Sequence, residues 1–184
     1  MKLTVTKNSL EKKHKDLEKL KTRRKDLVID KEEARSQGDL KENFGYQEAV
    51  KQIGIVDRQI AEATEFLNKN SFDTVDPLGW SKERKEKGAL LGSEVSFLRG
   101  DPNLADTEMY IIGGALDDHE DVVPYTAPLG ELLLGKKEGD KFKGEIAGRT
   151  VQIQVTKVTN PSVKKLKDIY ATEKVIEIEP ERGL

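Results

Sequence analysis

Asp39 and Glu42 stand three residues apart in the run Gln37-Gly38-Asp39-Leu40-Lys41-Glu42-Asn43. Two carboxylates at this spacing can supply oxygens to a hard cation such as Mg²⁺, which needs only one or two of them and keeps its other positions for water and phosphate oxygens. In a two-metal arrangement such a cation activates an attacking water for phosphodiester hydrolysis. The same residues also read as a helix start, with Asp39 as N-cap and Glu42 as its N3 partner. Acidic charge is favoured there by the helix dipole. The two readings are compatible. Other chemistry is scarce. The chain has no cysteine, so disulfides, thiolate metal sites and a Cys nucleophile are excluded, and a reducing compartment suits it. His14 and His119 are its two histidines, too few for a three-histidine metal site. His14 reads as an exposed helix residue. His119 sits among Asp117, Asp118, Glu120 and Asp121, which reads as an acidic surface loop or as a weak metal site.

The elements that must position the acid pair are two helices spanning about residues 9 to 69. Leu10, Leu17, Leu20, Leu27 and Ala34 lie on one stripe of the first, interrupted by Arg24 and Lys31. Tyr46, Ala49, Ile53, Val56, Ile60, Ala63 and Leu67 alternate steps of three and four along the second. Ser9 is the expected N-cap of the first arm, and Gly38 its stop. Two stripes joined by a short polar break fit an antiparallel helical hairpin, with arms of roughly 40 Å at 1.5 Å per residue. Its thin seams and charged outside let it stand away from the rest of the chain.

This accounts for an unusual composition. Of 184 residues, 36% are charged, yet the formal net charge is −2, and 35% are hydrophobic. A simple basic nucleic-acid binder would show an excess of Lys and Arg. Residues 1–29 carry a net +6, 30–72 a net −3 and 73–184 a net −5. Lys12, Lys13, Lys15, Lys19, Lys21, Arg23, Arg24 and Lys25 read as a solvated helix face or as a basic surface for RNA or a partner. No stretch approaches the roughly 20 apolar residues of a membrane span. Met1 to Lys15 is too polar for a secretory signal.

Asp76-Pro77-Leu78-Gly79-Trp80 breaks the helical pattern, and 76–89 reads as a linker with a charged run at Lys82–Lys87. Trp80 reads as an interdomain or core anchor. From Leu90 onward the period becomes two: Val95 and Phe97, Met109 and Ile111, then Val151, Ile153 and Val155. Pro128 to Leu134 is expected as one short helix, with Pro near its start and Gly135 after its end. The fold class is therefore α+β in two domains: 1–75 a coiled-coil hairpin, 90–159 a β-sheet domain with one short helix, and 160–184 an extension of unknown role. Val175, Ile176 and Ile178 allow one more strand.

Two blocks make the sequence recognisable. Glu33-Ala34-Arg35-Ser36-Gln37-Gly38-Asp39-Leu40-Lys41-Glu42-Asn43-Phe44-Gly45-Tyr46 resembles the tip motif of the bacterial transcript-cleavage factors of the GreA/GreB family. Ala127-Pro128-Leu129-Gly130-Glu131-Leu132-Leu133-Leu134-Gly135-Lys136-Lys137-Glu138-Gly139-Asp140 resembles their C-terminal signature. The blocks fall in the family's order and at about its spacing, and the resemblance covers roughly residues 9–159.

The resemblance implies an N-terminal antiparallel coiled coil, an FKBP-like C-terminal domain, and a partner, bacterial RNA polymerase. It implies that the C-terminal domain docks at the mouth of the polymerase secondary channel, through Pro128, Leu129, Leu132 and Gly135. The coiled coil would then bring Asp39 and Glu42 beside the active site, supported by Gly38, Leu40, Lys41, Asn43 and Tyr46. There the acids would help hold the second Mg²⁺ and the attacking water while the polymerase cleaves its own backtracked nascent RNA. The factor would have no cofactor of its own, the Mg²⁺ being shared with the polymerase. It would be a monomeric accessory protein of the cytoplasm, DNA-associated through the polymerase, with no membrane partner, and not itself an enzyme. The sequence departs from the family pattern at Phe44 and Gly45, where a small residue and an acid are usual, and Arg23-Arg24-Lys25 lacks a common Pro. Those departures leave a channel-binding inhibitor as the alternative. A peptidyl-prolyl isomerase is a further reading; it needs an aromatic-lined pocket from Trp80, Phe97, Tyr110, Tyr125, Phe142 and Tyr170.

Overall fold

The computed structural model describes residues 2–36, 43–82, 88–100 and 106–170. The chain divides into two compact units, Met1–Thr74 and Val75–Leu184.

The first unit runs β1 (Lys2–Thr6), α1 (Lys7–Ser36), α2 (Phe44–Lys69) and β2 (Ser71–Val75), with β1 and β2 paired in a two-stranded sheet. Contacts between the helices fix their sense. The Lys13 ammonium lies 5.8 Å from the Phe66 ring centre, Arg24 pairs with Asp57, and Asn43 reaches Ala34. Partner numbers fall on α2 as they rise on α1, so the hairpin is antiparallel. At 30 residues, α1 extends about 45 Å. Leu17, Ala49 and Val56 are buried in the seam, and the other stripe residues are half-buried. Among the described residues of this unit each helix packs chiefly on the other along one side, so a stripe of this kind sinks no further. Arg24 interrupts the stripe because its partner, Asp57, stands across the seam. That hydrogen bond raises the already high guanidinium pKa.

The start of α1 corrects one expectation. Thr6, buried at the end of β1, is the capping residue: its Oγ1 accepts the Ser9 N–H at 3.3 Å. Ser9 stands a turn inside and returns its hydroxyl to the Thr6 carbonyl at 3.0 Å. The chain enters the helix straight from a strand, Leu3 and Val5 inward, that is too short to announce itself by period alone.

The second unit contains β3 (Glu94–Arg99), β4 (Thr107–Gly113), β5 (Val122–Pro124), α3 (Pro128–Leu133), β6 (Lys141–Ile146), β7 (Arg149–Thr159) and α4 (Val163–Tyr170). The sheet order is β5-β4-β3-β7-β6, parallel between β4 and β5 and antiparallel elsewhere. Ala147 and Gly148, both at positive φ, make the tight turn from β6 to β7. Successive residues of a strand point to opposite faces, and β4 uses both. Ile112 joins Val95, Phe97, Val123, Leu133, Ile153 and Val155 on one side. Ile111 joins Trp80, Val122 and Leu166 on the other.

That second face explains two departures from the sequence reading. Pro77–Ser81, within the expected linker, forms a 3₁₀ turn that buries Trp80 in this unit's core. Gly92, at φ +82°, passes so close that a Cβ there would fall 2.1 Å from the Trp80 ring. The start of the expected extension is α4, a second short helix beside the expected α3; it seats Leu166 against Trp80 and sets the Tyr170 ring edge-on to it at 5.7 Å. The acidic run around His119 is likewise no simple surface loop, because it leads into β5 and carries a buried carboxylate, Asp117. Residues 83–87 of the charged run and the strand suggested by Val175, Ile176 and Ile178 lie outside the described residues.

Candidate functional site

The segment joining α1 to α2 carries the acid pair. Gly38, Asp39, Leu40, Lys41 and Glu42 lie outside the described residues. The ends of the helices that bracket them are described, and Asn43 organises those ends. Its Oδ1 accepts the Tyr46 N–H at 3.0 Å, which makes it the N-cap of α2. Its Nδ2 donates to the Ala34 carbonyl at 2.6 Å, in the last turns of α1. One side chain thus ends one helix and begins the other. The cap expected from Asp39 with Glu42 at N3 lies outside the described residues; α2 itself begins at Phe44 and takes its cap from Asn43. An amide serves here because it carries both an acceptor for Tyr46 and a donor for Ala34, which a carboxylate lacks. The sequence offers no signal for the Ala34 carbonyl, since every residue has one. Tyr46 is half-buried in the seam, whereas Phe44 is 79% exposed.

Farther down the hairpin, the basic residues of α1 are partly engaged. Lys19 pairs with Asp16 at 3.6 Å, Lys21 with Glu18 at 2.7 Å, and Arg23 reaches Gln52 at 3.4 Å. The Lys21 hydrogen bond lowers the Glu18 pKa. His14 Nδ1 lies 2.9 Å from the Leu10 carbonyl, on an exposed face. Pairs of this kind on a solvated surface contribute little to stability.

The second block folds around α3. Pro128 opens the helix and is exposed; Gly135 follows it at φ +76° and is also exposed. Leu129 and Leu132 are half-buried against the core, and Leu133 has no exposed surface. Leu132 fits over Gly144, where a Cβ would fall 2.4 Å from its Cδ1. The Gly135 N–H donates to the Ala89 carbonyl at 2.7 Å, and Ala89 N–H to Lys136 at 2.7 Å. Of the four residues singled out in this block, two therefore face solvent and two hold the block's shape.

Sequence reasoning missed a polar anchor in the same unit. Asp117 accepts the Gly114 N–H and the Tyr170 hydroxyl on Oδ2, each at 2.8 Å. Burial, then the neighbouring Asp117 charge, pushes the Tyr170 pKa far above its ordinary value. His119 accepts the Asp121 N–H at 3.1 Å. Among the described residues no group of three or more His, Cys, Asp or Glu side chains is gathered to hold a metal. No helix among them is long and apolar enough to cross a membrane.

Residues 3–70 match the family model described as "Transcription elongation factor, N-terminal" for GreA and GreB. The transcription elongation factor GreA of Nautilia profundicola is 32% identical over 157 residues, covering 84% of this chain and 92% of that one. GreA of Sulfurovum is 31% identical over 158 residues, covering 84% and 83%. A solved structure, GreA factor homolog 1 of Thermus thermophilus, is 17% identical and covers 87% of this chain and all of that one; its TM-score of 0.37 is too low to support an argument. On the match of residues 3–70 and its 32% identity to a relative covered over 92% of its length, this chain belongs to the GreA/GreB family of transcription elongation factors.

Proposed function

We propose that this protein binds bacterial RNA polymerase through its secondary channel and stimulates the polymerase's own cleavage of backtracked nascent RNA. The observation that carries the reading is the cap of α2. Asn43 caps α2 through its own side chain, so a residue other than the two carboxylates fills that role. Asp39 and Glu42 then supply oxygens toward the polymerase's Mg²⁺ and orient a water by hydrogen bonding. Bound Mg²⁺ contributes an activated water and charge neutralisation at the phosphate. Mg²⁺ takes few protein carboxylates and suits a donor set shared between two proteins. The length of α1 gives the reach, and the exposed Pro128 and Gly135 give the sheet unit a docking edge. On this reading the protein is a monomeric cytoplasmic accessory factor, not an enzyme, and meets RNA only within the polymerase.

In a stalled, backtracked elongation complex with Mg²⁺, the purified protein should shorten the RNA. Asp39→Ala should abolish shortening without abolishing binding. A wild-type protein that binds and never shortens RNA would sink the reading. The exposed Phe44 favours one second reading, a channel-binding inhibitor, which would slow synthesis in the same assay without cleaving. The isomerase reading has little support: Trp80 and Phe97 are buried in the core and Tyr170 is tied to Asp117.

A further inference from the structure

The side of the sheet that carries α4 is covered at one end only. There Ile111 lies with Trp80 and Leu166, and Lys165 pairs with Glu94 at 3.3 Å. Two residues before Ile111 on the same face of β4, Met109 is 44% exposed. The register shows what lies beside it. Ser96 stands between Met109 and Lys157, while Leu98 stands opposite Gln154, and Gln154 opposite Lys141. Residues directly opposite share a face, so Met109, Leu98, Lys157, Lys141 and, two residues on, Lys143 lie on one open area. Leu98 is half-buried and the three lysines are exposed. The area is an apolar centre with a basic border, and Glu145 is the acid at its far corner. The chain leaves α4 beside it: Tyr170 donates to Asp117, which also holds the Gly114 N–H just past the end of β4.

We infer that this open face is the docking site of the chain's own residues 171–184, which lie outside the described residues. Their chemistry complements it. They carry Val175, Ile176 and Ile178 for the apolar centre, and Glu173, Glu177, Glu179 and Glu181 against Lys174 and Arg182 for the basic border. Their length suits it as well. Met109 is about 13 Å along β4 from Gly113, and β6 is about 14 Å across the sheet from β4. Val175 follows Tyr170 by about 16 Å of extended chain and Glu181 by about 36 Å. The apolar residues therefore reach Met109 first, and the later glutamates reach Lys141 and Lys143. A tethered segment has an effective concentration in the millimolar range for a site within its reach, which favours it over a separate acidic partner. The inference is independent of the cleavage reading.

The test follows amide hydrogen exchange by mass spectrometry on the full chain. In wild type the amides of 171–184 should exchange roughly tenfold more slowly than the same sequence as a free peptide. Met109→Asp, which alters an exposed side chain, should remove that protection while Trp80 emission stays native. Lys141→Glu with Lys143→Glu should weaken it, as should raised salt in wild type. Adding Glu179→Lys and Glu181→Lys to the reversed face should restore it. Free-peptide rates in wild type would overturn the inference. Equal protection in wild type and both face variants would place the segment elsewhere and overturn it too. Protection that rises with protein concentration would make the occupant the segment of a second copy, against the inference. Should Met109→Asp fail to fold, the lysine pair and its charge-swapped rescue decide.

Discussion

In the hairpin, Val56 alone among the described seam residues has no exposed surface; in the sheet unit Val95, Phe97, Ile112, Leu133 and Val155 all reach that state in one cluster. The contrast follows from layering. A helix of a two-helix hairpin touches one partner, while the sheet has a core cluster on each face, with β4 contributing to both. The hairpin therefore spreads its stability thinly along a great length and leaves most of its surface free to vary. The sheet unit concentrates stability in a few residues. In the first unit a functional side chain can stand at the surface without disturbing the fold. In the second even the residues of a recognisable motif, such as Leu132 and Leu133, are drawn into the core.

The largest effect expected from this contrast is Phe97→Ala, which should cost the sheet unit about 3–5 kcal/mol. Val56→Ala removes a smaller side chain from a seam that can partly collapse, and should cost the hairpin about 2 kcal/mol. The single Trp80 is buried in the sheet unit, so its emission during urea unfolding reports that unit, while far-UV ellipticity is dominated by α1 and α2. Equal losses in the two variants would break the comparison.

Next in size is a test of how α4 is fastened. Tyr170→Phe removes the hydroxyl that Asp117 accepts, at a cost of about 1 kcal/mol near neutral pH. In wild type the Tyr170 pKa is raised by burial and by Asp117. The unfolded chain loses the tyrosine proton near pH 10 while the folded one keeps it. Stability from this group is therefore intact below about pH 10 and falls as the pH rises beyond it. The phenylalanine variant has no such loss. The difference between the two proteins, read from melts between neutral and alkaline pH, should be greatest near neutrality and shrink above pH 10.

How much of this was legible in the sequence depended on period and length. The stripes from Leu10 to Ala34 and from Tyr46 to Leu67 are long enough for a 3.6-residue repeat to stand out, and Val95–Phe97 and Val151–Val155 show the repeat of two. Lys2–Thr6, Ser71–Val75 and Val122–Pro124 were not legible because three to five residues hold at most two repeats. Lys141–Ile146 hid for another reason: its inward positions are Phe142, Gly144 and Ile146, and the glycine is there to receive Leu132. Trp80 was legible as a core anchor, but the turn that carries it and α4 read as linker and tail because the partners that bury Trp80 and Leu166, Ile111 and Val122, are distant in sequence. At the candidate site the residue types of the acid pair were legible. Asn43 as a tie between the helices was not, because its second bond goes to a backbone carbonyl that no sequence pattern marks.

The smallest effects lie where the helices of the hairpin meet their connection, and they differ in sign. Asn43→Ala should cost about 1 kcal/mol through loss of the α2 cap, seen as a lower midpoint in far-UV melts with Trp80 emission unchanged. Gly45→Ala should do the opposite and stabilise the hairpin by up to about 1 kcal/mol, since among the described residues the added methyl meets only ordinary contacts. If Gly45 serves the cleavage reading, the stabilised variant should also cleave backtracked RNA more slowly than wild type. A gain in stability with cleavage unchanged would mean that the glycine serves nothing at the site, and that the hairpin's surface is as indifferent there as along the rest of its length.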